Sequence, residues 1–251
     1  MILIIKHIGI EGPALLGDYL QERGIRSQVI DLGAGDALPL DSKAVDAVVV
    51  LGGPMNVDEE DRYPFLKPEN IFIQNILKKR IPFLGICLGS QLLAKAAGAK
   101  VVKSPAKEVG WFDIQLTDAG KRDPFFNALA PELRVYQWHE DMFMIPAGGE
   151  LLATAPGCPH QAFRVGENAY GLQFHCEITD RSITEWCDEY LKNHPRDLRI
   201  KKAGMLEEYR LKKAEYFKAA RQMFGNFVKI IESKRNLAAG SGAQGVPGGL
   251  R

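Results

Sequence analysis

Through the first hundred positions, apolar runs of strand length alternate with stretches whose apolar residues recur at helical spacing. Ile2 to Ile5 is one such run, Val45 to Leu51 and Ile81 to Ile86 are two more, and Arg26 to Leu32 repeats the strand signal. Continuous apolar runs fit strands covered on both faces, as in a parallel sheet. Between them, Leu15, Leu16, Tyr19 and Leu20 mark a helix that stops at Gly24. Ile71, Phe72, Ile76 and Leu77 give the apolar face of another, from about Pro68 to Lys79, and an alanine- and leucine-rich stretch ending at Gly98 supplies a third. This order predicts an α/β fold: a mostly parallel central sheet flanked by helices on both faces, with ligand chemistry at the carboxyl ends of the strands.

Beyond position 100 the pattern shortens. Lys100 to Lys103 and Val109 to Thr117 read as strands, the second half-exposed because Trp111, Asp113 and Gln115 alternate with Phe112, Ile114 and Leu116. Leu151 to Ala155, Gln161 to Val165 and Ala169 to Phe174 follow, the last two joined by a turn at Gly166 to Asn168. These short strands predict an antiparallel layer added to the parallel core. Thr179 is the expected N-cap of a helix over Arg181 to Leu191, which Pro195 ends. Apolar residues among alternating charges from about Ala203 to Ser233 predict an amphipathic helix, or a pair, packed on the domain. The glycine-rich end, Ala238 to Leu250, lacks periodicity and reads as a flexible tail. The expected organisation is a catalytic domain over 1–194, a helical extension over 195–235 and a tail over 236–251.

Composition narrows the function classes. With 251 residues and 46% hydrophobic content the chain can bury a full core. A formal net charge of +1 gives no global field to recruit nucleic acid or an anionic membrane, so neither is an expected partner. The four cysteines (Cys87, Cys158, Cys176, Cys187) show no metal-ligand spacing and no disulfide framework, so neither metal nor cofactor is expected and a reducing, cytoplasmic setting fits. The first residues lack a basic region ahead of their apolar run and are too few to span a bilayer, so they read as a buried strand. Oligomeric state is not legible.

Three segments carry candidate chemistry. Cys87 falls between the run Ile81 to Ile86 and the helix after it, with Gly85 and Gly89 at i−2 and i+2. That is the pattern of a nucleophile elbow with sulfur in place of oxygen, at a helix start where the macrodipole favours a thiolate. Gly52-Gly53-Pro54 ends another buried strand, so its amides should open on the same sheet edge, with the Gly53 and Leu88 N–H groups suited to an oxyanion hole. In Gln173-Phe-His-Cys-Glu177, an extended backbone puts His175 and Glu177 on one side, about 6.6 Å apart along the chain, with Cys176 facing away. Glu177 can then orient His175 as general base toward Cys87. Taken singly, a buried cysteine, a Gly-Pro turn and a strand-end histidine are ordinary; as a set they point to catalysis by a cysteine poised to attack a carbonyl.

With Gly52-Gly-Pro54, Gly85-Ile-Cys-Leu-Gly-Ser-Gln91 and Gln173-Phe-His-Cys-Glu177 in this order, the chain resembles the class I glutamine amidotransferases, nearest in flavour to the glutaminase module of GMP synthase and its stand-alone relatives. The resemblance spans about Met1 to Leu191 and implies a flavodoxin-like glutaminase fold, a Cys87–His175–Glu177 triad, an oxyanion hole from Gly53 and Leu88, and hydrolysis of a γ-glutamyl amide. It further implies that Gln91, with Gly52, contacts the glutamyl portion of the substrate. Gln137-Trp-His-Glu-Asp-Met142 is similar to a His-x-Asp segment of GMP synthase-like members, which puts His139 and Asp141 beside the substrate's amino and carboxylate groups; a loop salt bridge is the alternative. The family usually places Pro between the triad His and Glu, where this chain has Cys176. No P-loop or synthase half is found, so ammonia would go to a separate synthase or acceptor protein, or the enzyme would act on γ-glutamyl peptides without one. A regulatory binding module of the same fold is the third reading.

Overall fold

The computed structural model describes residues 1–39, 41–42 and 44–242. In chain order its elements are β1 (Ile2–Lys6), α1 (Ala14–Glu22), β2 (Ser27–Asp31), β3 (Ala47–Val50), α2 (Leu66–Lys78), β4 (Phe83–Ile86) and α3 (Leu88–Ala96). There follow β5 (Val101–Leu116), α4 (Asp118–Arg122), β6 (Glu132–Phe143), β7 (Glu150–Thr154), β8 (Ala162–Val165), β9 (Ala169–Leu172), α5 (Asp180–Tyr190) and α6 (Pro195–Gly242). The strands join one sheet in the order β2-β1-β3-β4-β9-β8-β7-β5-β6. From β2 to β9 the pairings are parallel, and from β9 to β6 every pairing is antiparallel. The antiparallel strands therefore continue the parallel sheet edge to edge.

The apolar runs are continuous because both faces are covered. Leu3, Ile5, Val48, Val50 and Phe83 pack under Ile73 and Ile76 of α2 and Leu92 and Leu93 of α3. Ile2, Ile4, Val49, Leu84 and Ile86 face the opposite layer, formed by α1, α5 and α6. Alternate residues of one strand thus feed two separate cores.

Two sequence expectations change. The segments Lys100 to Lys103 and Val109 to Thr117 belong to the single strand β5, whose pairing with β6 is broken between Lys103 and Glu108. Pro105 lies in that gap, where its missing N–H would interrupt a ladder. Glu132–Phe143, for which a loop salt bridge at His139 and Asp141 is the sequence alternative, is the strand β6, in which Gln137 and His139 are buried polar side chains. His139 pairs with Glu108 of β5 at 2.9 Å and the Gln137 amide nitrogen donates to Gln161 Oε1 at 2.7 Å, distant partners that no periodicity reveals.

Past the Thr179 cap, whose side chain accepts from the Ser182 N–H, α5 ends before Pro195, and Pro195 opens α6. Proline is accommodated at a first helical position because that N–H has no intrahelical acceptor. Met205, Tyr209, Tyr216, Ala220, Phe224, Phe227 and Ile231 recur at intervals of three, four or seven residues and share the core formed by α1 and α5. The Trp111 indole donates to the Met205 carbonyl at 3.1 Å, and the Ile178 N–H donates to the Tyr216 hydroxyl at 3.1 Å. The helical extension is thereby tied to the backbone beside His175. The expected tail from 236 is helical as far as Gly242, and its remainder, 243–251, lies outside the described residues. No helix among the described residues is long and apolar enough to cross a membrane.

Candidate active site

Because β1, β3, β4 and β9 run parallel, the loops after them open on one edge of the sheet. Cys87 sits between β4 and α3 at φ 51°, ψ −108°, a conformation costly for a residue with a Cβ, on the order of 1–3 kcal/mol. The corner closes only with glycine on both sides. A Cβ at Gly85 would overlap the Gly89 carbonyl, and a Cβ at Gly89 would overlap that of Val50. The Cys87 N–H donates to Leu172 at 2.7 Å, so the elbow is bonded to the end of β9, from which the histidine segment departs.

His175 lies three residues beyond β9, its N–H donating to Tyr136 at 2.8 Å, and its ring meets the edge of Trp186 with centroids 4.7 Å apart. Its Nδ1 donates to Glu177 Oε1 at 2.7 Å, while Glu177 Oε2 accepts the Cys176 N–H at 2.9 Å. The carboxylate is therefore locked in one orientation and the ring with it. Burial opposes a charge on His175, but Glu177 and the neighbouring Cys87 outweigh it, and the pKa stands well above the usual imidazole value. The Cys87 Sγ itself lies 3.7 Å from the Trp138 carbonyl and 3.9 Å from the Gln173 amide nitrogen. Cys176 turns away into the apolar core, where burial pushes its thiol well up. Cys87 and His175 both wall a cavity of about 460 Å³, with Glu11, Gly53, Gln91 and Trp138.

Of the remaining sequence-derived positions, Gln91, His139 and Asp141 line the same cavity, whereas Gly52 and Leu88 are not among its lining residues. Leu88 is the first residue of α3, so its N–H has no acceptor within the helix. The Gln91 amide nitrogen, on the cavity wall, donates to the Asp141 carbonyl at 3.2 Å and Gln173 Oε1 at 3.3 Å. His139 has both ring nitrogens engaged, Nε2 with Glu108 at 2.9 Å and Nδ1 with the Asp141 carbonyl at 3.1 Å. The Asp141 carboxylate accepts from Asn56 at 2.7 Å and pairs with Lys103 at 2.8 Å. Both residues line the cavity, yet each already has protein partners. Glu108, His139 and Cys158 place potential metal-ligand atoms within 4.8 Å of one another, and Glu108 Oε2 also takes an amide hydrogen of Gln161 at 2.9 Å.

Sequence reading passes over Glu11, Tyr190, His7 and Glu69. Glu11 lines the cavity and accepts from the Tyr190 hydroxyl at 2.5 Å; burial raises its pKa against the pull of His175. A Cβ at Gly52 would overlap its carboxylate and press on the His175 ring. The available signal was position alone, since Glu11 follows β1 at the edge where ligands collect. His7 donates from Nδ1 to the Gly52 carbonyl at 2.9 Å, and its Nε2 faces both oxygens of Glu69 at 3.0 and 3.1 Å. Burial works against charge on this ring too, but Glu69, the Gly52 carbonyl and Glu11 raise its pKa.

Comparison with known proteins identifies the family. The profile of the family described as glutamine amidotransferase class-I matches residues 14–194. A putative glutamine amidotransferase-like protein, YfeJ, of Salmonella typhimurium is 35% identical over 182 residues, covering 71% of this chain and 76% of that protein. The glutamine-hydrolyzing GMP synthase of Thermosipho africanus is 35% identical over 193 residues, but these are 76% of this chain and only 35% of the synthase. The crystal structure of a glutamine amidotransferase from Thermotoga maritima superposes with a TM-score of 0.82 at 36% identity, covering 90% of this chain and 97% of that one. This chain therefore belongs to the class I glutamine amidotransferase family.

Proposed function

We propose that the chain cleaves the side-chain amide of glutamine, or of a γ-glutamyl compound, through a thioester on Cys87. Cys87 gives its proton to His175, the sulfur attacks the amide carbon, and the oxygen takes up negative charge against the Gly53 and Leu88 N–H groups. His175, oriented by Glu177, gives its proton to the departing nitrogen, the carbon–nitrogen bond breaks, and ammonia or an amine leaves. Water then attacks the thioester, His175 accepts its proton, and the acid is released with the thiol restored. The supporting observation is the placement of Cys87 and a carboxylate-oriented His175 on one cavity wall. Gln91 is assigned to the glutamyl portion of the substrate.

Incubation with glutamine and a panel of γ-glutamyl dipeptides, reading released ammonia or amino acid, tests the proposal. Turnover lost in Cys87→Ala, with Cys87 labelled by an electrophilic glutamine analogue, is the expected result. Absence of turnover with and without candidate acceptor proteins, together with no labelling, refutes it. The relatives named GMP synthase support delivery of ammonia to a separate synthase. A γ-glutamyl peptidase without an acceptor partner is the second reading of the same chemistry. Stimulation by a partner protein selects the first; equal rates on glutamine and dipeptides select the second.

A further inference from the structure

His7 takes no part in the reaction proposed above, yet it is bonded to the loop that would carry the oxyanion. Its side chain and that of Glu69 are fully sealed from solvent. Both ring nitrogens of His7 point at acceptors, the Gly52 carbonyl on one side and the Glu69 carboxylate, from α2, on the other. In a trans peptide, the carbonyl and the following N–H point in opposite directions. A Gly52 carbonyl drawn toward His7 therefore turns the Gly53 N–H the other way. Gly53 walls the cavity with Cys87, and its N–H makes no hydrogen bond among the described residues. A peptide between two glycines has little intrinsic preference for one plane, so without an anchor it would sample several.

We propose that His7, braced by Glu69, is a positioning residue that sets the plane of the Gly52–Gly53 peptide and so aims the Gly53 N–H at the substrate oxygen. The inference rests on the thioester reaction above. His7 would touch neither substrate nor sulfur, and its effect would travel through one backbone carbonyl.

Asparagine places an amide nitrogen near the position of Nδ1, and glutamine near that of Nε2. His7→Asn therefore keeps a donor for Gly52, whereas His7→Gln keeps a partner only for residue 69. Each is combined with Glu69→Gln so that no unpaired carboxylate stays buried. The glutamine variant should lose about 10²-fold in kcat with KM moving less than about threefold, as for removal of an oxyanion donor, while the asparagine variant stays within about tenfold of wild type. Equal losses in both, or a loss confined to KM, overturn the proposal. Crystal structures give a second readout: the Gly52 carbonyl should stay on residue 7 in the asparagine variant and rotate away in the glutamine variant, and an unrotated peptide in the latter overturns it. Should wild-type protein turn over nothing, the reaction fails as a reading, and peptide orientation still decides the clamp. Should neither variant fold, capture of wild-type Cys87 by a glutamine aldehyde analogue should shift the Gly53 amide resonance, and an unmoved resonance overturns the proposal.

Discussion

Two buried histidine–glutamate pairs flank Cys87, and they are built alike but wired differently. In one, His175 and Glu177 are two residues apart, and Nδ1 alone is taken by the carboxylate, while Nε2 has no hydrogen-bond partner among the described residues and the residue lines the cavity with Cys87. In the other, His7 and Glu69 are separated by 62 positions and both ring nitrogens are occupied by protein acceptors. A third pair, His139 with Glu108, resembles the sealed one, since Asp141 takes its second nitrogen. A histidine whose two nitrogens are both engaged can orient a backbone but has no site left for a reacting proton. On the reading proposed above, what separates the acid–base residue from the clamp is the number of its nitrogens left to the cavity, not burial or the presence of a carboxylate.

The comparison breaks most sharply at the sulfur and its histidine. Cys87→Ala or His175→Ala should lower amide hydrolysis about 10⁴-fold or more, since such groups act as a unit. Ammonia release in single-turnover conditions measures this, and residual turnover within tenfold of wild type would place the chemistry elsewhere. Glu177→Gln should reduce kcat about 10²- to 10⁴-fold by loosening the ring and its tautomer, with KM little changed. Glu69→Ala should appear mainly in stability. Leaving His7 buried without its counter-charge costs about 3–5 kcal/mol, read from urea unfolding midpoints.

The smallest effect is on pH dependence. His7 and His175 both have folded-state values raised above the ordinary imidazole value, so their pairs stabilise fully below about pH 6.5. That contribution is lost as pH rises through the raised folded values. The melting temperature should accordingly fall by a few degrees on the alkaline side, and the slope should flatten in Glu177→Gln, which weakens the hold on the His175 proton. A slope unchanged in that variant would assign the effect to other groups.

How much was readable follows distance along the chain. His175 and Glu177 sit at i and i+2, so local backbone geometry alone brings them to one side. Gly85, Cys87 and Gly89 are likewise one turn of chain, and the close approaches that demand both glycines arise from the corner itself and from the neighbouring strand. The His7–Glu69 pair left no such mark, because a lone histidine after a strand and a glutamate on an amphipathic helix are each unremarkable by themselves. His139 and Asp141 were visible as residues, but their engagement by Glu108, Asn56 and Lys103 depends on partners from other segments.

The sequence by itself determined the alternation of buried strands and helices, the elbow at Cys87 and the adjacency of His175 to its carboxylate, because each is an interaction between near neighbours governed by side-chain size and backbone period. Only the tertiary structure decided that β9 lies beside β4, which brings the histidine segment, 88 positions away, onto the sulfur's side of the sheet. It alone also decided that α6 joins the core behind His175 and that the Gly52 carbonyl is held from β1. Strand order and the pairing of distant polar groups are settled by how whole faces fit and which buried donors find acceptors, quantities that belong to the assembled sheet and to no single segment of it.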